Sequence, residues 1–97
     1  MKNNTITEIE EETLVDKLVD ELVLPTHTIV IYNDDVNDFG HVISCLMKYC
    51  HQTLEQAEQC AMIIHNSGNY AVKHGVYDKL KPVCEALLDA GLSAKIE

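Results

Sequence analysis

Residues 27–42 read HTIVIYNDDVNDFGHV, and a change of period inside this stretch decides the fold. His27 to Tyr32 is rich in β-branched residues, the composition of a strand. Asn33-Asp34-Asp35 ends it, because short polar side chains hydrogen-bond their own backbone and favour a turn. Beyond the turn, Phe39, Val42, Ile43, Leu46, Met47 and Cys50 recur at intervals of three, one, three, one and three. That spacing predicts one apolar face of a helix from about Asp38 to Tyr49.

Working toward the C-terminus, Thr53-Leu54-Glu55-Gln56 fits a capping box with Thr53 as N-cap. The helix it opens is expected to bury Leu54, Ala57, Ala61 and Ile64. It ends at Asn66-Ser67-Gly68, where Gly68 suits the left-handed position after a helix. Tyr70 to Val76 alternates as a strand. Pro82 suits the first turn of a third helix, where its missing N–H is harmless. That helix carries Val83, Leu87 and Leu88 and stops at Gly91. Leu92, Ala94 and Ile96 alternate as a last strand. The order β-α-α-β-α-β predicts an α+β fold: one compact domain, a three-stranded antiparallel sheet with helices on one face.

Working toward the N-terminus, residues 1–25 differ in kind. They hold seven acidic and two basic residues and no aromatic. Leu14, Val15, Leu18, Val19 and Leu22 allow a short amphipathic helix over residues 12–23, ended by Pro25. A helix of that length is marginal alone in water. Two readings follow: a flexible acidic extension over residues 1–25 preceding a domain over 26–97, or a first helix packed on that domain.

Composition narrows the function. The formal net charge is −9, from 16 acidic and 7 basic side chains. Such a chain lacks the basic groups that neutralise phosphates, which argues against nucleic acid, and it is repelled by anionic membranes. A cation, a basic surface or a protonated amine is the natural partner. No apolar run reaches the ~20 residues of a membrane span, and no signal-peptide pattern opens the chain, so a cytoplasmic protein is expected. Cys45, Cys50, Cys60 and Cys84 are then expected to stay reduced. His41 and Cys45, at i and i+4, are the only plausible metal-ligand pair, and two ligands do not close a site. No metal or other cofactor is expected. GxSxG, Gly-rich phosphate loops and HExxH are all missing, and the cysteines lie inside apolar helical patterns, so catalysis is not expected.

The candidate site is the connection Asn33–Val42. Its polar residues admit a bland reading, in which Asn33 and Asp34 shape the turn and Asn37 or Asp38 caps the helix. They also admit a functional one, in which the acceptors share a concavity with His65 at the end of the second helix.

The motifs IVIYNDD, IIHNSG and GVY, with the closing GLSAKIE, resemble the ClpS family of Clp protease adaptors over roughly residues 26–97. The resemblance implies the family fold, shared with the C-terminal domain of the ribosomal stalk protein. It also implies capture of N-degrons, meaning a free α-amino group followed by a large hydrophobic first residue such as Leu, Phe, Tyr or Trp. Asn33, Asp34 and His65 would hold the ammonium, with His65 accepting through a neutral ring nitrogen. Asp35 and Asn37 would meet the substrate backbone. Phe39, Val42, Ala61, Ile64 and Leu92 would line the side-chain pocket. The implied partner is the N-terminal domain of a ClpA- or ClpC-type AAA+ unfoldase, with Lys81 as a docking residue. A peptide-binding module uncoupled from any protease is the alternative. The chain departs from the family where Phe39 replaces a common Met and Asn37 a common Thr. The segment between GVY and the last strand is also shorter than usual.

Overall fold

The computed structural model describes residues 25–97. Within them the order is β1 (His27–Tyr32), α1 (Phe39–Tyr49), α2 (Leu54–Ser67), β2 (Asn69–Gly75), α3 (Tyr77–Asp89) and β3 (Ser93–Ile96). β1 is the middle strand of a sheet ordered β2-β1-β3, and both its neighbours run antiparallel to it. The expected α+β architecture is therefore the one observed. The division between residues 1–25 and the domain falls almost wholly outside the described residues.

The central position of β1 follows from its composition. Ile29, Val30 and Ile31 are all buried, which only an inner strand can satisfy. Ile29 and Ile31 join Leu46, Leu80 and Leu87 in the fully buried core, and no aromatic residue is among the buried ones. The interior is thus aliphatic, as a chain without Trp and with one Phe requires. Pairing with β2 runs from Tyr32↔Asn69 to His27↔Gly75, and its register shifts between Ile29 and Val30. Ile29 faces Lys73 while Val30 faces Ala71, so Val72 is the extra residue of a β-bulge. The Gln52 side-chain amide donates to the Val72 carbonyl at 3.2 Å.

The helix ends follow their local chemistry. Asp38 caps α1 by accepting from the His41 N–H. The Thr53–Gln56 capping box forms with both of its hydrogen bonds, at 3.2 and 3.0 Å. Gly68 closes α2 in the left-handed conformation, with φ +93°.

Three expectations need correction. α3 begins at Tyr77, so Pro82 lies inside the helix and not in its first turn. Its missing N–H leaves the Asp78 carbonyl without an intrahelical partner, and both residues are exposed, so water meets that carbonyl. Val76 accordingly serves as N-cap of α3, and β2 runs Asn69–Gly75. Leu54 is 51% exposed, because the first residue of α2 lies beyond the core. On α1 the buried stripe takes in Cys45, Leu46 and Cys50, leaving Phe39 and Met47 at 41% and 40% exposure. Cys45, Leu46 and Cys50 lie against the core, and Phe39 and Met47 stay at its margin.

Gly68 gives the first prediction. A Cβ there would meet nothing within 4 Å, so substitution strains only the backbone. Gly68→Ala should destabilise the domain by about 1–2 kcal/mol, and Gly68→Asn by clearly less, since Asn tolerates this conformation. Thermal melts of the two variants check the order; equal melting of wild type and Gly68→Ala would show that φ at this position is freely adjustable.

Candidate functional site

β1 does not end freely. The Asn33 N–H, one residue past the strand, donates to the Gly68 carbonyl at 2.8 Å. The Gly68 N–H in turn donates to the Ile64 carbonyl at 2.9 Å, closing α2. These two bonds bring Asn33 to the C-terminal end of α2, whose last turn carries His65. That end holds carbonyls without intrahelical partners and a partial negative charge, an environment that favours a cation. Asn33 and His65 are both exposed. Their side chains have no hydrogen-bond partner among the described residues.

Asp34 is employed differently. Its Oδ1 accepts the N–H groups of Val36 at 3.0 Å and Asn37 at 2.9 Å. Its Oδ2 accepts from the Ser93 hydroxyl at 2.9 Å and from the Asn37 side-chain amide at 2.9 Å. The same amide donates to the Gly91 carbonyl at 2.8 Å. One carboxylate therefore folds the loop over itself and fastens it to the segment entering β3. Donation from the Asn37 N–H, reinforced by Asn37 Nδ2, Ser93 and the Val36 N–H, holds its pKa below the usual aspartate value despite a partly opposing desolvation. Sequence reasoning missed Ser93 and Gly91. Nothing in GLSAKIE marks a serine at a strand start as a partner for an aspartate 59 positions away.

Below this loop the surface carries a small dent of about 10 Å³, lined by Ile31, Tyr32, Asn33, Asp34, Asn37, Val42, Ile64 and Leu92. Such a volume holds roughly one water molecule. Six of the residues named from the sequence thus meet at one place, and Ile31 and Tyr32 join them. Ala61, buried one turn before Ile64, is not part of the lining. Phe39 stands outside it, with its ring edge-to-face against His65 at a centroid separation of 6.5 Å. Asp35 is exposed beside the loop, and Lys81 is exposed on α3, far along the chain from these residues. Larger hollows lie elsewhere, one along Glu55, Glu58, Gln59, Met62 and Ile63 and one along Cys50, Gln52, Cys60 and Tyr70. Neither includes Asn33, Asp34 or His65, although the second borders the C-cap of α1 at Cys50 and holds Gln52 Oε1, a buried acceptor without a partner among the described residues.

The remaining candidates have other duties. His41 donates through Nε2 to the Ala90 carbonyl at 2.8 Å, tying α1 to the end of α3, and Cys45 Sγ lies 3.6 Å from the same nitrogen. No cluster of three metal-ligating side chains occurs among the described residues. Burial raises the thiol pKa of Cys45, Cys84 and Cys50, the last to about 11, so these sulfurs are protonated at neutral pH and poor nucleophiles. No described helix is long and apolar enough to cross a membrane.

Comparison with known proteins gives concordant results. Residues 24–95 match the family model described as ATP-dependent Clp protease adaptor protein ClpS. The ATP-dependent Clp protease adapter protein ClpS of Thermosynechococcus vestitus is 36% identical over 70 residues, covering 71% of this chain and 74% of the relative. The structure of Agrobacterium tumefaciens ClpS2 bound to L-phenylalaninamide superposes with a TM-score of 0.68 at 20% identity, covering 74% of this chain and 94% of the other. At that identity the structural match speaks to the fold.

The depressed pKa of Asp34 fixes a direction for stability. A carboxyl whose folded pKa lies below its unfolded one stabilises the fold above the unfolded value, and that contribution is lost as pH falls through the folded value. Asp34→Asn should therefore melt below wild type at pH 7, and the gap should narrow as pH drops beneath the ordinary aspartate range. Paired melts across acidic pH measure it; a gap independent of pH would mean that the charge of Asp34 contributes nothing to the loop.

Proposed function

The chain belongs to the ClpS family of ATP-dependent Clp protease adaptors, and from that premise we propose that it captures proteins by a free N-terminal amino group and a large hydrophobic first side chain, then delivers them to a ClpA- or ClpC-type unfoldase. The observation that carries the capture step is the Asn33 N–H bond to Gly68. It brings Asn33 and His65, whose side chains have no hydrogen-bond partner among the described residues, to the partly negative end of α2, with Asn33 on the edge of a dent that Val42, Ile64 and Leu92 line in part.

An ammonium offers three donors and one positive charge. In this reading Asn33 Oδ1 and a neutral His65 ring nitrogen accept two of the donors. Asp34, whose oxygens are already engaged, contributes its negative charge and the placement of its neighbours. Asp35 and the Asn37 carbonyl oxygen meet the substrate main chain. The first side chain enters between Val42, Ile64 and Leu92, backed by Ala61. A leucine or phenylalanine side chain exceeds a one-water dent, so entry requires the lining to part. Phe39, at the lip and packed only edge-on to His65, is the group free to swing. The A. tumefaciens relative was solved with L-phenylalaninamide, a molecule that combines an α-amino group with a benzyl side chain.

Delivery is the less direct part of the proposal. It assigns Lys81 to docking on the unfoldase N-terminal domain and residues 1–25 to engagement by the unfoldase, all in the cytoplasm. No catalytic step is proposed, in keeping with the protonated buried thiols and the adaptor family. The second reading, an uncoupled peptide binder, uses the same site and differs only in delivery.

Acetylating a Phe-first peptide removes the charge and two of the three N–H donors, so Asn33 and His65 can no longer both be satisfied. The loss should be at least ~3 kcal/mol, above a hundredfold in affinity. Calorimetric titration with the free and acetylated peptides measures it, and equal affinities would exclude amine recognition.

Delivery has its own readout. Added to a ClpA- or ClpC-type protease, the full chain should accelerate degradation of a Phe-first substrate. A chain lacking residues 1–22 should bind peptide within about twofold (under ~0.5 kcal/mol) yet lose the acceleration. Capture without acceleration by the full chain, against every such protease supplied, would favour the uncoupled binder.

A further inference from the structure

Ser93 stands outside every expectation drawn from the sequence, yet it makes the one side-chain bond that joins β3 to the recognition loop. It pairs on the sheet with Tyr32, the residue before Asn33. Its hydroxyl donates to Asp34 Oδ2 at 2.9 Å. Its neighbours are committed to the same site: the Gly91 carbonyl accepts from Asn37 Nδ2 at 2.8 Å, and Leu92 is buried in the dent. Three consecutive residues therefore hold the loop, floor the pocket and orient the carboxylate.

We propose that Ser93 is a positioning residue for amine recognition, its hydroxyl fixing the Asp34 carboxylate and through it the direction in which Asn33 presents its acceptor. The inference rests on the capture step proposed above. Geometry supports it on two counts. Asp34 Oδ1 accepts only from its own loop, from the Val36 and Asn37 N–H groups and the Asn37 side-chain amide, so that oxygen shapes the turn. Oδ2 is held by two side chains, and one of these, Asn37, belongs to the same loop. Ser93 is then the only partner of the carboxylate that belongs to the sheet, and so the only one that refers its position to rigid structure. Asn33, adjoining Asp34 and bonded through its own N–H to Gly68, inherits that reference at one end and the reference of α2 at the other. A loop held at both ends presents its acceptors without an ordering penalty on binding. Gly91, with φ +94°, lets the chain turn so that its carbonyl and the Ser93 hydroxyl address the loop together.

A positioning role differs from a structural one in what it leaves unchanged. Loss of the hydroxyl should weaken every free-amine ligand by a common factor, because all share the ammonium. Damage to β3 would act through Leu92 and alter the order of preference among first side chains. The test uses the full chain, titrated with peptides that begin with Leu, Phe and Tyr and with the acetylated Phe-first peptide. Ser93→Ala should weaken all three free-amine peptides about tenfold while their ranking holds and the domain stays folded, melting no lower than Asp34→Asn. Ser93→Thr, which keeps a hydroxyl, should restore affinity to within about threefold. Should the alanine variant fail to fold, Ser93→Cys keeps the size with a much weaker donor and is expected to show the same common loss. Unchanged affinities in the alanine variant, a reordered ranking, or failure of threonine to restore binding would each overturn the proposal. If wild type itself binds free and acetylated peptides alike, it is the capture reading that fails.

Discussion

The hydrogen bond from the Asn33 N–H to the Gly68 carbonyl joins the two elements that meet at the candidate site. On one side is the central strand, fixed by its buried isoleucines and by neighbours on both edges. On the other is a helix whose end is set by a left-handed glycine. Neither half alone makes a site. A strand end offers a polar turn that water would solvate, and a helix end offers carbonyls that water would solvate. Brought together at 2.8 Å, the turn and the helix end place Asn33 beside the last turn of α2, which carries His65. Moving either element by a residue would turn one of the two side chains away, because strand residues alternate in direction and helix residues step by about 100°.

The parts of this arrangement legible in the sequence are those with a local cause. β1 shows in HTIVIY, the cap of α2 in TLEQ, and its end in NSG, because each depends on residues within a few positions of one another. What stayed hidden depends on distant partners. Pro82 looked like a helix start because sequence cannot show that Tyr77 already begins the helix with Val76 as an unassisted N-cap. Phe39 counted toward the apolar stripe of α1 because the period admits it, yet the core closes over Cys45 and Leu46 and leaves its ring beside His65. Leu54 was placed inside by the same arithmetic, which does not know where the sheet stops. Of the six named residues that line the dent, Asn33, Asp34, Ile64 and Leu92 lie in the quoted motifs, and Asn37 and Val42 in the stretch that follows NDD. Ser93 and Gly91 were not nameable as site residues, since their role exists only once β3 lies beside β1.

Asp34 shows why a motif reading and a geometric reading of the same residue can differ without conflict. As one of three polar residues after a strand, it is an obvious acceptor for a cation. In the folded chain its oxygens already accept from Val36, Asn37 and Ser93. A carboxylate so engaged still carries its charge, and charge acts over distances at which a hydrogen bond does not. The donors lower its pKa, keeping the charge present through the physiological range. The loop thereby obtains an anion anchored by its own backbone and by β3, while Asn33 and His65 remain the acceptors that the proposed capture step uses.

That division of labour bears on selectivity. A site built from free carboxylates would hold any cation, including a lysine ammonium or a metal ion, wherever it could approach. On the proposed reading the acceptors that meet the ammonium are an amide and an imidazole, which bind a donor only when it arrives from the right direction, with the exposed Asp35 carboxylate left to the substrate main chain. The charge behind them favours an ammonium over a neutral amide, and the dent beside them rewards an apolar group next to that ammonium. A lysine side chain presents its ammonium at the tip of a long stem, with no apolar branch beside the charge. An α-amino group followed by a hydrophobic first side chain presents both within one residue. The narrowness of the dent sharpens this choice, since parting Val42, Ile64 and Leu92 is repaid only by a side chain large enough to fill the space it opens. On the proposed reading the arrangement discriminates through the conjunction of two weak features, a directed pair of acceptors and a narrow dent lined in part by Val42, Ile64 and Leu92, both placed by the bond between β1 and α2.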